Sequence, residues 1–225
     1  MRSDRRAAVA ALAVLTLAFL AGGALLGEVF GSSGDSDQTF IDHYASSQNR
    51  GLDIAGSALL IVSGGAFLVF VAAMRRLLKP VDSLTADLFS LSGAVVAILL
   101  MVAGTLFLTT PFSISFGGAY DDKGQFGGGH AAVLPQAGTF MVAFAAMPLA
   151  AFVVVLLNLA NRRVALFPRW HTVLAWACAT LLLLSLTGGA LVALPTWSAA
   201  TAVALWRGRR LTAATEETVA APGSG

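Results

Sequence analysis

The chain has 225 residues, of which 57% are hydrophobic and 12% charged, with a formal net charge of +2 and a mean hydropathy of +0.79. Typical soluble domains carry roughly 45–50% apolar and about 25% charged residues, so this balance excludes a water-soluble globule and leaves room for one membrane bundle without a second domain. The single cysteine, Cys178, excludes an intrachain disulfide and any paired-cysteine metal motif, and is expected to be a small buried apolar residue.

The charges fall between six apolar runs, with twelve of the fourteen Lys and Arg side chains in alternate gaps. Apolar segments must satisfy their own backbone hydrogen bonds in lipid, and cationic loops stay cytoplasmic. The expectation is an all-α, polytopic transmembrane helical bundle of six helices, with the N- and C-termini cytoplasmic. Residues 1–210 form one domain, with spans at about 7–28, 52–74, 84–108, 136–159, 171–187 and 190–206. Residues 211–225, polar and rich in small side chains, are expected to be a disordered cytoplasmic tail.

The first run follows Arg2, Arg5 and Arg6 and exceeds the apolar core of a signal peptide, so it reads as an uncleaved helix. Gly23 and Gly27 have the GxxxG spacing that permits close helix contact. The polar, acidic stretch 31–50 belongs outside. Within it, Asp37 or Thr39 caps a short helix that places Phe40, Ile41 and Tyr44 on one side. The second run returns to Arg75, Arg76 and Lys79, and Pro80 breaks the chain at a cytoplasmic turn.

The third run exits to a Gly-rich segment, Thr109–Pro135, containing Asp121, Asp122 and His130. A connection of that length is functional or mobile. The fourth run contains Pro148, which should kink it, and ends at Asn161-Arg162-Arg163. As a single helix, residues 171–206 would run to about 54 Å against a bilayer core of about 30 Å, so two short spans with a turn at Gly188-Gly189 fit better. Trp170 and Trp206 then sit at the cytoplasmic interface, and His171 faces the headgroups.

Four passages carry a family likeness: Phe40-Ile41-Asp42-His43-Tyr44, the helix end Met74-Arg75-Arg76-Leu77-Leu78-Lys79-Pro80-Val81, the connection Ala165-Leu166-Phe167-Pro168-Arg169-Trp170, and Ala204-Leu205-Trp206-Arg207. Over roughly residues 7–210 the chain resembles small six-helix, largely actinobacterial, integral membrane proteins grouped as a domain of unknown function. The resemblance implies a bacterial plasma-membrane, multi-pass protein and supplies no activity. Twelve Arg to two Lys and the lack of an Asn-x-Ser/Thr sequon agree with a bacterial gene.

Ionisable residues inside a membrane mark function because burying charge in hydrocarbon is costly. Here they lie near helix ends: Glu28 and Asp53 outside, and Asp87 inside. With Arg50 as counter-ion, Glu28 and Asp53 offer a small external acidic site; ordinary solvated helix-end charges are the simpler reading. His43 and His130 fall in external segments with Asp42, Asp121 and Asp122 nearby in sequence. If those loops converge, His43, His130, Asp121 and Asp122 offer the nitrogen and oxygen ligands of a zinc-like site. Their spacing gives that site no local support, and solvated loop histidines are the simpler reading. No catalytic residue and no cofactor is expected. The glycine clusters lack a phosphate-loop order, no histidine pair faces across helices for haem, and Ser57, Ser63, Ser90 and Ser92 suit helix packing. Partners are the bilayer and a membrane-protein partner or a second copy, not nucleic acid. The favoured role is a non-enzymatic accessory protein binding a partner or an apolar ligand. A small solute permease is the alternative, and an external metal-dependent enzyme comes third.

Overall fold

A computed structural model describes residues 2–27, 37–80, 82–116, 133–164, 166–184 and 190–220. Among these residues every regular element is helical. In chain order they are α1 (Arg2–Leu25), α2 (Asp37–Ala45), α3 (Ser47–Leu78), α4 (Ser83–Phe116), α5, α6 (Arg169–Leu183) and α7 (Ala190–Ala220). The fifth helix runs through Val133–Phe140, a π-helical turn Met141–Ala146, and Met147–Val164. Seven helices thus stand where six were expected, because the short α2 adds to the six apolar runs.

Among the described residues four helices are long and apolar enough to cross a membrane: α1, α3, α4 and α5. The stretch expected to divide into two does so, but α6 has 15 residues, about 22 Å, short of a bilayer core. Several expected boundaries move. α3 starts at Ser47, not 52, because Ser46 caps it by accepting the Asn49 N–H. α4 does not stop at 108 but continues through Pro111 to Phe116, held by the buried faces of Thr110, Pro111 and Ile114. α5 begins at Val133, with Pro135 in its first turn, where no intrahelical donor is needed. α7 runs on to Ala220, into the stretch expected to be disordered, since Leu211, Ala213, Ala214, Glu216 and Glu217 are good helix formers.

The expected distortion at Pro148 takes the form of the π turn immediately before it. Proline has no N–H and its ring crowds the carbonyl four residues back. Widening the turn relieves that clash, and the Met147 N–H bonds to the Val142 carbonyl, five residues back.

The helices other than α2 close a ring in which α1 packs on α3, α3 on α4, α4 on α5, α5 on α6, α6 on α7, and α7 back on α1. Thr16 and Ser198 share a 2.7 Å hydrogen bond across the α1–α7 closure. Inside the ring Phe70 lies edge-on to Phe89 and to Trp197, with centroids 6.1 and 5.8 Å away, and Phe67 packs beside Phe70. All four aromatic rings are fully buried. Large apolar side chains also face outward along the helices, including Leu17, Leu68, Val69, Leu91 and Ile98. A bundle that is apolar on both sides suits lipid as its solvent.

Close backbone approach joins α1, α3 and α4. A methyl placed on Gly64 of α3 meets the Ala97 carbonyl at 2.7 Å, and one on Gly104 of α4 meets the Ser57 carbonyl at 3.0 Å. Gly22 and Gly56 oppose one another in the same way between α1 and α3. The expected GxxxG pair is not the packing pair, because Gly23 and Gly27 face open space while Gly22 makes the contact. Gly64→Ala is therefore expected to destabilise the protein by about 1–3 kcal/mol through overpacking. Gly65→Ala, which meets nothing within 4 Å, serves as the control. Unfolding in mild detergent should separate the two variants, and equal midpoints would disprove the close-approach account.

Candidate functional site

The two ends of the bundle differ in chemistry. One end gathers the N-termini of α1, α4 and α6 with the C-termini of α3 and α5. There Arg76 pairs with Asp4 at 3.3 Å, Arg75 reaches Asp87 at 2.8 Å, and Arg163 pairs with Asp82. Asp82 also caps α4, accepting the Thr85 N–H at 3.0 Å and the Thr85 hydroxyl at 2.7 Å. Those Thr85 bonds, with help from Arg163, hold its carboxyl below the usual carboxylate range. The Arg partners in these pairs are exposed, so the pairs fix helix ends more than they stabilise the fold.

At the opposite end the break at Ser46 folds α2 back on the start of α3. Phe40 and Tyr44, spaced by one turn, are buried and carry α2 onto the bundle, as the sequence pattern predicts. The same turn brings His43 against Asp53. The imidazole Nε2 lies 2.8 Å from the Asp53 Oδ2, with Asp53 only 2% exposed. Asn49 donates to the His43 carbonyl at 3.2 Å and lies 3.4 Å from the ring Nδ1. Both ring nitrogens are thus engaged. Arg50 donates to the Tyr44 and Ala45 carbonyls and so caps the end of α2.

This arrangement corrects two expectations. Asp53 is not a solvated helix-end charge, and His43 is not a solvated loop residue. A carboxylate at the buried start of a helix needs a close hydrogen-bond donor, and α2 supplies the imidazole. His130, Asp121, Asp122 and Glu28 lie outside the described residues, so the zinc-like site that would join His43 to His130, Asp121 and Asp122, which was not the favoured reading, falls outside them too. Among the described residues no group of three His, Cys, Asp or Glu side chains is placed to hold a metal. Cys178 is buried, as expected.

A third correction concerns His171. It is 1% exposed, not facing headgroups: its Nε2 bonds the Thr201 hydroxyl at 2.9 Å and its ring stacks on Phe167 at 4.4 Å. Asn161 shapes that turn by accepting the Phe167 N–H at 2.7 Å and donating to the Thr172 hydroxyl at 3.2 Å. Asn49, Asn158, Asn161 and Trp197 were not singled out by the sequence. The one available signal was a run of Asn, His and Trp flanking helix ends, which an interfacial reading absorbs equally well.

Comparison with protein-family models, with curated proteins and with solved structures finds no match.

Tyr44 completes the cluster at the α2 end of the bundle. Its hydroxyl is enclosed and has no hydrogen-bond partner among the described residues. Burial first, and the Asp53 charge second, push its ionisation well above the usual value near 10. The sign follows: the unfolded chain releases this proton above about pH 10 and the native chain does not, so stability present below pH 10 is lost as pH rises beyond it. Tyr44→Phe is expected to unfold at an equal or higher temperature at pH 7 and to lose less stability between pH 9 and 11. Removing His43 leaves Asp53 buried without its imidazole, so His43→Ala is expected to cost about 3 kcal/mol. The double variant His43→Ala/Asp53→Asn should recover part of that loss. Unfolding midpoints in detergent decide both, and a double variant less stable than His43→Ala would refute the pairing.

Proposed function

We propose that this chain is a multi-pass protein of the bacterial plasma membrane, with six spans and both termini cytoplasmic, that acts as a non-enzymatic accessory subunit for a membrane-protein partner. The arginine-rich end is cytoplasmic and the His43–Asp53 end is external. One observation carries the reading. The interior is filled by Phe67, Phe70, Phe89 and Trp197, and Asp53 at the external end is the only buried Asp, Glu, Lys or Arg among the described residues. An ion-coupled carrier needs titratable or charged groups near the bilayer midplane. Here the inward faces offer packing.

The π turn before Pro148 favours the alternative of a small solute permease, since such turns recur where helices must adjust. Two experiments separate these roles. Reporter fusions after Arg76, Arg163 and Arg210 should read cytoplasmic, and those near Gly34 and Gly124 external. A Gly225 fusion reading external defeats the six-span topology. Reconstituted protein should show no pH-gradient-dependent uptake across a panel of small solutes, and chemical crosslinking in native membranes should return one stoichiometric membrane partner. Uptake that collapses in Asp53→Asn at unchanged expression sinks the accessory reading in favour of the permease.

A further inference from the structure

Five enclosed hydrogen-bonding atoms in the half of the bundle nearer the arginine-rich end have no partner among the described residues: Arg5 Nε, His171 Nδ1, both amide atoms of Asn158 and the indole Nε1 of Trp197. Asn158 is 2% exposed and Trp197 is 1% exposed. Two polar contacts fix how their helices align. The Asn161–Thr172 bond ties α5 to α6, and the His171–Thr201 bond ties α6 to α7. These neighbouring helices are antiparallel, so one turn deeper Asn158 comes level with Ala175, and Trp197 comes level with the same Ala175. Ala175 is fully buried and ends at a methyl group. Phe70 packs edge-to-face against the Trp197 ring from α3.

We infer that Asn158 and Trp197 hold one internal water molecule beside Ala175, at the junction of α5, α6 and α7. The chemistry selects the ligand. An indole only donates, and a primary amide both donates and accepts. A water oxygen accepts the Trp197 N–H, and one of its hydrogens goes to the Asn158 Oδ1. Its second lone pair is open to the Asn158 amide N–H. Enclosed polar groups in folded proteins are satisfied in this way, and a polar niche next to a small side chain is where buried water sits. The water pins α7 to α5 across the short α6 and keeps the Trp197 ring in place against Phe70. The inference is independent of whether the protein is an accessory subunit or a carrier.

The test uses the full chain in nanodiscs with Trp170→Phe, Trp176→Phe and Trp206→Phe. Those three indoles are exposed, and the changes leave Trp197 as the sole tryptophan. Ultraviolet resonance Raman should place the Trp197 N–H in the hydrogen-bonded range. Difference infrared spectra against Asn158→Leu should show a sharp water O–H stretch that shifts in H₂¹⁸O and is absent from the variant. Asn158→Leu should also lower the unfolding midpoint. A free indole N–H in the parent overturns the inference, whether or not Asn158→Leu folds. So does a bonded N–H without an ¹⁸O-sensitive band, which is the signature of a direct Trp197–Asn158 bond. A midpoint that rises in Asn158→Leu likewise overturns it, since removing an unsatisfied amide stabilises.

Discussion

The approach of the α3 and α4 backbones at Gly64 and Gly104 is the constraint on which the rest of the bundle rests. With no side chain at those two positions, one helix sets its carbonyls against the other at Ala97 and Ser57. Lipid tails are as apolar as the side chains they replace, so the hydrophobic effect does little to draw spans together, and close dispersion contact must do more of the work. The Gly22–Gly56 contact then extends the pair to α1. Three helices become a rigid half on which α5, α6 and α7 close.

That close half fixes where the aromatic side chains meet. Phe70 projects from α3 between Phe89 of α4 and Trp197 of α7, so one ring links three helices. Edge-to-face contacts of this kind contribute about 0.5–1.5 kcal/mol beyond the area they bury. The large side chain of Trp197 also brings an indole N–H to a place where lipid and aromatic neighbours offer no acceptor. The polar residues Asn158, Asn161, His171 and Thr201 cluster on α5, α6 and α7. Hydrogen bonds take over the task of register there.

The two ends solve different problems. At the arginine-rich end, exposed guanidinium groups meet Asp4, Asp82 and Asp87 where solvent weakens each pair, and the charges act mainly to keep helix ends at the interface. At the other end one carboxylate, Asp53, is buried, and α2 folds back to give it an imidazole. The helix α2 is thereby fastened by the His43–Asp53 pair, by the hydrogen bonds from Asn49 and Arg50, and by the Phe40–Tyr44 face.

Local composition and periodicity determined that this chain is all-helical and membrane-like, where its apolar runs lie, that residues 171–206 divide in two, and that Phe40 and Tyr44 share a face. Each of these depends on the spacing of side chains along one segment, which the order of residues displays directly. Helix ends were legible only to within several residues, because a proline such as Pro111 or Pro135 stops a helix or not according to the neighbours that bury it. Which glycine packs, Gly22 or Gly23, was decided by helix rotation in the assembled bundle. The pairing of His43 with Asp53 needed the reversal at Ser46, and the burial of His171 needed Thr201, thirty residues away, to arrive on a different helix. The tertiary structure decided those points because desolvation and hydrogen-bond satisfaction are properties of a side chain's full surroundings, and the sequence lists only its neighbours along the chain.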